Sequence, residues 1–115
     1  MNTIPLSLSQ EINQLHAGIC SALADPNRIL LLYALSERPR TVNELANDLG
    51  ITQPTASRHL KLLRERGMVR AKRAGTSVEY RLADDRLIQA LDLLRSVLRD
   101  QLSQRAELVD ALDEE

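Results

Sequence analysis

The sequence of 115 residues predicts a mainly α-helical fold with one small β-hairpin. Three observations support this fold class. Apolar residues recur at helical spacing through most of the chain, residues that cap helices stand before these segments, and residues 68–82 instead alternate apolar with polar side chains. The length favours a single domain over residues 1–115, with a core large enough to fold without a metal or a disulfide.

The first two helices are predicted from an apolar stripe and a capping signal. The first is expected over residues 9–24, where the stripe consists of Ile12, Leu15, Ile19 and Leu23. Asp25 followed by Pro26 is typical of a helix start, with an N-cap before a proline in the first turn. Residues 29–35 are almost all aliphatic, which predicts burial on most sides, and residues 36–40 are expected to form a connecting loop.

Residues 41–66 carry the signals of two short helices separated by a tight turn. Thr41 and Glu44 form a capping box, in which each side chain satisfies a free backbone N–H group at a helix start. Gly50 predicts the end of the first helix, because glycine adopts left-handed backbone angles without a steric cost. Thr52 is expected to cap the second helix. The segment is therefore predicted to be a helix–turn–helix.

The segment after it, residues 68–82, predicts a hairpin whose two strands are joined around Ala74-Gly75-Thr76. Lys72 and Arg73 stand just before this tip. A helix–turn–helix followed by a basic hairpin, or wing, is the layout of a winged DNA-binding domain.

A long last helix is predicted over residues 84–112. Its apolar seam consists of Leu87, Leu91, Leu94, Leu98 and Leu102. One small domain has few elements against which so long a seam can pack. We therefore expect a homodimer formed through the first and last helices, with closure of the monomer core as the alternative.

Charge is distributed unevenly along the chain. Lysine and arginine number 15 against 16 acidic residues, so the total charge indicates nothing about nucleic acid. Residues 52–81 nevertheless carry a formal charge of +6, whereas residues 1–51 carry −2 and residues 82–115 carry −5. A basic middle between acidic ends indicates one surface that faces phosphate.

The second helix of the helix–turn–helix is the predicted recognition helix. Burial of Ala56, Leu60 and Leu63 would turn its polar residues outward, where glutamine can pair with adenine and arginine with guanine. For His59, a packed or surface position is as well supported as a DNA contact. The side chains predicted to contact DNA are Thr41, Thr52, Gln53, Thr55, Ser57, Arg58, His59, Lys61, Lys72, Arg73 and Thr76.

Composition excludes several classes of function. The single cysteine permits no intramolecular disulfide and favours the cytoplasm, and no apolar run is long enough to cross a membrane. Phenylalanine and tryptophan are absent, which argues against a single-strand-binding platform and favours duplex DNA. Without a plausible catalytic cleft or phosphate-binding glycine loop, neither an enzyme nor a cofactor is expected. The alternative, a winged-helix protein-interaction module, predicts an apolar recognition face, and the sequence has the reverse.

Three groups of motifs lie together within residues 22–82. They are Ala24-Asp25-Pro26 with Arg28, Gln53-Pro54-Thr55 before Ser57-Arg58-His59-Leu60, and Glu79-Tyr80-Arg81-Leu82. In this combination the chain resembles the ArsR/SmtB family of winged-helix repressors. The resemblance implies a homodimer that binds an operator near its own promoter and is released when an inducer binds the protein. The operator is expected to be an imperfect inverted repeat.

The metal ligands that are usual in the family do not identify the signal that releases DNA from this protein. Members of the family often sense metals through a cysteine pair on the helix that matches residues 42–49, or through histidine and aspartate on the last helix. This sequence has no cysteine in residues 42–49 and no histidine in its last helix. His16 and Cys20 stand four residues apart, which predicts one shared helix face. Two such pairs could bind a metal across a dimer, or Cys20 could respond to oxidants. A buried cysteine beside a surface histidine is the more common case, so no metal site is predicted and the inducer stays unidentified.

Overall fold

The structure, a computed structural model, describes residues 3–113. The helices and strands are α1 (Leu6–Gly18), a 3-10 helix (Cys20–Ala24), α2 (Pro26–Glu37), β1 (Arg40–Thr41), α3 (Val42–Leu49), α4 (Gln53–Glu65), β2 (Val69–Ala74), β3 (Ser77–Leu82) and α5 (Arg86–Asp113). They confirm the mainly helical class with a small hairpin. The chain forms two compact units that meet in sequence after Asp84. Of the predicted domain 1–115, Met1, Asn2, Glu114 and Glu115 lie outside the described residues.

The single helix expected over residues 9–24 is wrong, because this segment is interrupted. The α-helix α1 already begins at Leu6 and ends at Gly18, and a 3-10 helix follows. In that second helix the backbone N–H of Ala22 donates to the carbonyl of Ile19 at 3.1 Å, a bond over three residues instead of four. Glycine at the break is consistent with its poor helix propensity. None of residues 6–18 is buried.

The core of the first unit lies between α2 and the helix–turn–helix. Its buried apolar side chains are Ala22, Leu31, Leu32, Leu35, Leu45, Ala46, Ala56, Leu60, Leu63, Met68 and Val69. The expectation that residues 29–35 are buried on most sides is confirmed except at Leu30, which is 52% exposed. The centre of α2 thus forms one wall of the core.

The helix–turn–helix has the caps that the sequence predicts. The Thr41 hydroxyl accepts a bond from the Glu44 N–H at 3.3 Å, and the Glu44 carboxylate accepts one from the Thr41 N–H at 3.3 Å. Gly50 follows α3 with a φ of +68°, the left-handed conformation that its position requires. Thr52 caps α4 by accepting a bond from the Thr55 N–H at 3.3 Å. Both helix starts and the turn are confirmed.

The hairpin belongs to a three-stranded antiparallel sheet in the order β1-β3-β2. Ala74 pairs with Ser77, which leaves Gly75 and Thr76 as the tip of the wing. The expected loop over residues 36–40 is wrong at both ends, because α2 continues to Glu37 and Arg40, in β1, pairs with Tyr80 of β3. Side-chain ion pairs from Arg40 to Glu37 and Asp48 hold this short strand beside α2 and α3.

The second unit is the long helix α5, from Arg86 to Asp113. Within the predicted leucine seam Leu91 is buried, whereas Leu94, Leu98 and Leu102 are 62%, 53% and 51% exposed. Most of the seam is therefore uncovered in one copy of the chain. Within residues 3–113, no helix combines the length and the apolar character needed to cross a membrane.

Candidate nucleic-acid interface

Helix α4 separates a buried face from a polar one. Ala56, Leu60 and Leu63 are fully buried, as predicted. The side chains left exposed on α4 and at its N-cap include Thr52, Gln53, Ser57, Arg58 and Lys61. Because the apolar residues anchor the helix in the core, these polar groups have fixed backbone positions on the surface.

Three side chains at the start of α4 form a hydrogen-bonded chain. The Thr52 hydroxyl, besides capping the helix, donates to the Thr55 hydroxyl at 2.8 Å. The Thr55 hydroxyl also accepts a bond from Nη2 of Arg58 at 3.3 Å. Thr55 is half-buried, so it supports Arg58 from beneath and leaves the guanidinium in solvent. The arginine is therefore partly ordered before any ligand arrives.

A groove separates the helix–turn–helix from the tip of the wing. It is lined by Thr41, Val42, Asn43, Gln53, Thr76, Ser77 and Val78. The groove brings together Thr41, Gln53 and Thr76, which are far apart in sequence and were all predicted to contact DNA. The groove also contains Asn43 and Ser77, which were not predicted from the sequence to contact DNA. The polar face of α3, opposite Leu45 and Ala46, was the signal that could have identified Asn43.

The hydroxyl of Thr41 is already used within the protein. It accepts the Glu44 N–H and lies 3.2 Å from the Glu44 carboxylate oxygen. A hydrogen bond from Arg38, followed by the Thr41 backbone bond, lowers the pKa of Glu44 below its usual range. Thr41 therefore shapes the groove through the capping box.

The wing carries its cations on both of its faces. In the register of β2 and β3, Lys72 lies opposite Glu79 and Arg73 lies opposite Val78. Neighbouring residues of a strand point to opposite sides, so Lys72 and Arg73 diverge. Both are exposed. Arg70 faces Arg81 directly, which adds two exposed cations at the base of the hairpin.

His59 lies against the start of α2. Its Nδ1 is 3.3 Å from Nη1 of Arg28, and its Nε2 is 3.9 Å from a carboxylate oxygen of Asp25. Only 15% of its side chain is exposed. The structure thus places His59 in a packed position, and its contact with DNA stays a prediction.

His16 and Cys20 do not share one continuous helix. His16 is in the last turn of α1, whereas Cys20 opens the 3-10 helix beyond the break, and both are exposed. The expectation that both residues lie on one continuous helix is therefore wrong, as is that of a buried cysteine. Between residues 3 and 113, no three histidine, cysteine or acidic side chains are grouped as a metal site would require.

Comparison with known proteins agrees with this arrangement. The family model for bacterial regulatory proteins of the arsR family matches residues 25–71, which run from the cap of α2 into β2. Rv0081 of Mycobacterium tuberculosis, an HTH-type transcriptional regulator, is 35% identical over 105 residues, which cover 90% of this chain and 92% of that protein. The chain belongs to the ArsR family.

Other members extend the ArsR comparison. The M. tuberculosis transcriptional repressor SmtB is 41% identical over 85 residues, which cover 74% of this chain and 63% of the repressor. The crystal structure of Rv0081 superposes with a TM-score of 0.74 at 36% identity, covering 83% of this chain and 96% of that one. The homodimeric winged helix-turn-helix DNA-binding domain of Mycobacterium bovis Mb0332 gives 0.74 at 29% identity, covering 90% and 95%. These two structures confirm the winged helix–turn–helix fold.

Proposed function

We propose that this protein is a homodimeric transcriptional repressor that binds double-stranded operator DNA and recognises its sequence. The observation that carries the proposal is the exposed polar face of α4, which stands beside a groove and a basic wing. Its relative SmtB of M. tuberculosis is a transcriptional repressor. A protein-interaction module would need an apolar face in this place, and an enzyme would need catalytic groups that this surface does not offer.

Base recognition would come from the first half of α4. A recognition helix enters the major groove with its N-terminal residues in contact with base edges. Gln53 has the donor and acceptor that pair with adenine, and Arg58 has the fork that pairs with guanine. Ser57 and Lys61 are exposed beside them and are assigned to nearby base edges or phosphates. Thr55 contributes through its support of Arg58.

Affinity for the DNA backbone would come mainly from the wing and the groove. Lys72 and Arg73 are exposed cations that displace counterions from phosphates. Thr76, Ser77 and Asn43 line the groove with donors suited to phosphate oxygens. This division predicts that the wing acts on all duplexes alike, whereas α4 distinguishes between sequences.

Dimerisation would use the apolar side chains left exposed on the first and last helices. In α1, Ile12 and Leu15 are 49% and 41% exposed, and in α5 Leu94 and Leu98 are exposed to a larger extent. A two-fold axis would place two α4 helices about 34–36 Å apart, one turn of DNA, over an inverted repeat. An inducer that is still unidentified would release the DNA. Such a regulator acts in the cytoplasm, in keeping with the chain's single cysteine.

The first experiment is selection of genomic DNA fragments by the purified protein. Recovery of one enriched site with two-fold symmetry is the expected result. If the protein enriches no sequence, and binds selected and random fragments equally, the proposal is wrong. The genes beside the recovered site would also indicate the class of inducer.

Two substitutions then test the separate roles assigned to α4 and to the wing. Arg58→Ala should cost about 1–3 kcal/mol on the selected duplex and little on a random one. Arg73→Ala should weaken both duplexes alike and reduce the slope of log affinity against log salt by about 1. Arg64→Ala is the matched control, since Arg64 is an exposed cation at the far end of α4. Equal losses from Arg58→Ala on both duplexes would contradict the assigned role.

A further inference from the structure

The C-terminal end of the recognition helix is fastened to the end of α1. Arg66 caps α4, and its Nη1 donates to the carbonyl oxygens of Ala17 and Gly18, the latter at 2.9 Å. The same Nη1 lies 2.6 Å from the Ser21 hydroxyl. One guanidinium thus contacts three acceptors that are more than forty residues away in sequence. We refer to residues 17–22, where α1 gives way to the 3-10 helix, as the junction.

A second arginine links the junction to the middle of α4. In Arg28, Nε donates to the carbonyl of Ala22 at 2.6 Å and Nη2 to that of Ser21 at 3.5 Å. Its remaining nitrogen, Nη1, is 3.3 Å from Nδ1 of His59 on α4. Arg28 therefore connects the far side of the junction to the packed histidine described above.

These contacts have a clear physical basis. The last carbonyls of a helix have no partner within it, and they carry the negative end of the helix dipole. A helix that ends at Gly18 and restarts as a 3-10 helix leaves several such carbonyls near one another. The guanidinium groups of Arg66 and Arg28 donate hydrogen bonds to these carbonyls. Arg66 directly follows α4, and Arg28 contacts His59 within α4. The junction is therefore ordered by the same residues that hold the recognition helix.

The two attachment points lie on one face of α4. His59 and Arg66 are seven residues apart, which is two helical turns and about 10 Å along the axis. The buried side chains Ala56, Leu60 and Leu63 already hold α4 against the core. Arg66 adds a fixed point at the C-terminal end, which limits any remaining tilt of the helix. A tilt of about 10° in a helix of this length would move its free end by about 3 Å. A shift of that size breaks hydrogen bonds to base edges.

We propose that Arg66 is a positioning residue for DNA recognition, because it sets the direction of α4 by fastening its C-terminal end to the junction. This inference rests on the proposed function, since it concerns how well α4 fits its operator. The side chain of Arg66 is directed to the junction, so it acts through the helix and without contact to DNA. The contact between Arg28 and His59 is the second attachment of α4.

The test compares Arg66→Met with Arg64→Met, a matched control. Both variants lose one positive charge from the end of α4, but Arg64 is exposed and has no part in the junction contacts. Arg66→Met should weaken binding of the selected duplex by about tenfold relative to Arg64→Met, the size of a typical coupling effect. Both variants should bind a random duplex equally. Arg66→Lys should restore most of the loss, because an ammonium can reach the same carbonyls.

A second measurement needs no DNA. Amide hydrogen exchange reports whether the junction is ordered, through the N–H groups of Ala22 and Leu23 that donate to the Ile19 carbonyl. Arg66→Met should accelerate their exchange in the free protein, and Arg64→Met should not.

The same exchange can also be measured with the selected duplex bound. By reciprocity, the duplex should slow this exchange in the wild-type protein and in Arg66→Lys, but less in Arg66→Met.

The outcomes separate the two proposals. If the wild-type protein selects no duplex, the proposed function fails while the exchange result still shows whether Arg66 orders the junction. If Arg66→Met binds the selected duplex as tightly as Arg64→Met does, the positioning role is overturned, even if thermal stability has fallen. Should Arg66→Met not fold, Ser21→Ala removes one of the acceptors and must give a smaller loss, about twofold to threefold, in the same direction. An unchanged ratio of selected to random binding in Ser21→Ala would also overturn the role.

Discussion

The hydrogen bond between Thr55 and Arg58 leads to a prediction about affinity. Thr55→Val removes the hydroxyl that accepts a bond from Nη2 of Arg58 at 3.3 Å and keeps the shape of the side chain. The substitution also removes the acceptor of the Thr52 hydroxyl, but the N-cap interaction survives, because Thr52 caps α4 by accepting a bond from the backbone N–H of residue 55. The fold should therefore remain intact while Arg58 loses its support.

The size of the effect follows from the exposure of the contact. Arg58 lies in solvent, so its bond to Thr55 contributes at the low end of the usual range, about 0.5–1 kcal/mol. An unsupported arginine must also lose side-chain freedom when it pairs with a base, which costs up to about 2 kcal/mol. We expect Thr55→Val to weaken binding of the selected duplex by about 1–1.5 kcal/mol, close to tenfold. A random duplex, which Arg58 does not read, should be bound as before.

A double-mutant cycle isolates this coupling. Duplex affinity is measured by fluorescence anisotropy at fixed salt for Thr55→Val, for Arg58→Ala and for the two combined. Once Arg58 is absent, Thr55→Val should cost no more than about 0.3 kcal/mol. Ser57→Ala is the control, because Ser57 is an exposed neighbour whose effect should add to that of Arg58→Ala. If Thr55→Val costs the same with and without Arg58, the two residues act independently and the reasoning is refuted.

Two further predictions concern stability. Leu60→Ala should lower the free energy of unfolding by about 2–5 kcal/mol in urea titration, because Leu60 is fully buried, whereas the exposed Lys61→Ala should change it little. The pKa of Glu44 is lowered by Arg38 and by the Thr41 backbone, so the stability from this carboxylate is present above its ordinary pKa of 4.5 and is lost as pH falls below it. Glu44→Gln should flatten that acid limb of the stability profile, and an unaltered limb would show that Glu44 contributes nothing to it.

Local chemistry made much of this structure predictable from sequence. Thr41 and Thr52 bond to backbone groups three residues away, so their capping roles depend only on near neighbours. The buried face of α4 follows from helical spacing, and Leu60 lies where that spacing places it. The caps are decided by residues within one turn, and the helical spacing within α4 decides which of its faces packs in the core.

The features that sequence reasoning missed depend on distant partners. The break after Gly18 is stabilised by Arg66, which is more than forty residues away, and no local signal reports that contact. The strand at Arg40 exists because β3 pairs with it. The position of His59 depends on Arg28, on another helix. A lone glycine or histidine in a helical pattern does not reveal such neighbours.

The uncovered surface of α5 has a consequence for how this protein responds to its own abundance. Within residues 86–113 only Leu91 is buried, and Leu93 is 70% exposed. In the proposed homodimer, a helix that covers so little apolar surface would gain most of its stability when a second copy packs against it. Mass action would then make the melting temperature rise with protein concentration. Dilution would weaken α5 and separate the paired α4 helices in the same step, so the amount of this protein in the cell would itself tune the occupancy of its binding sites.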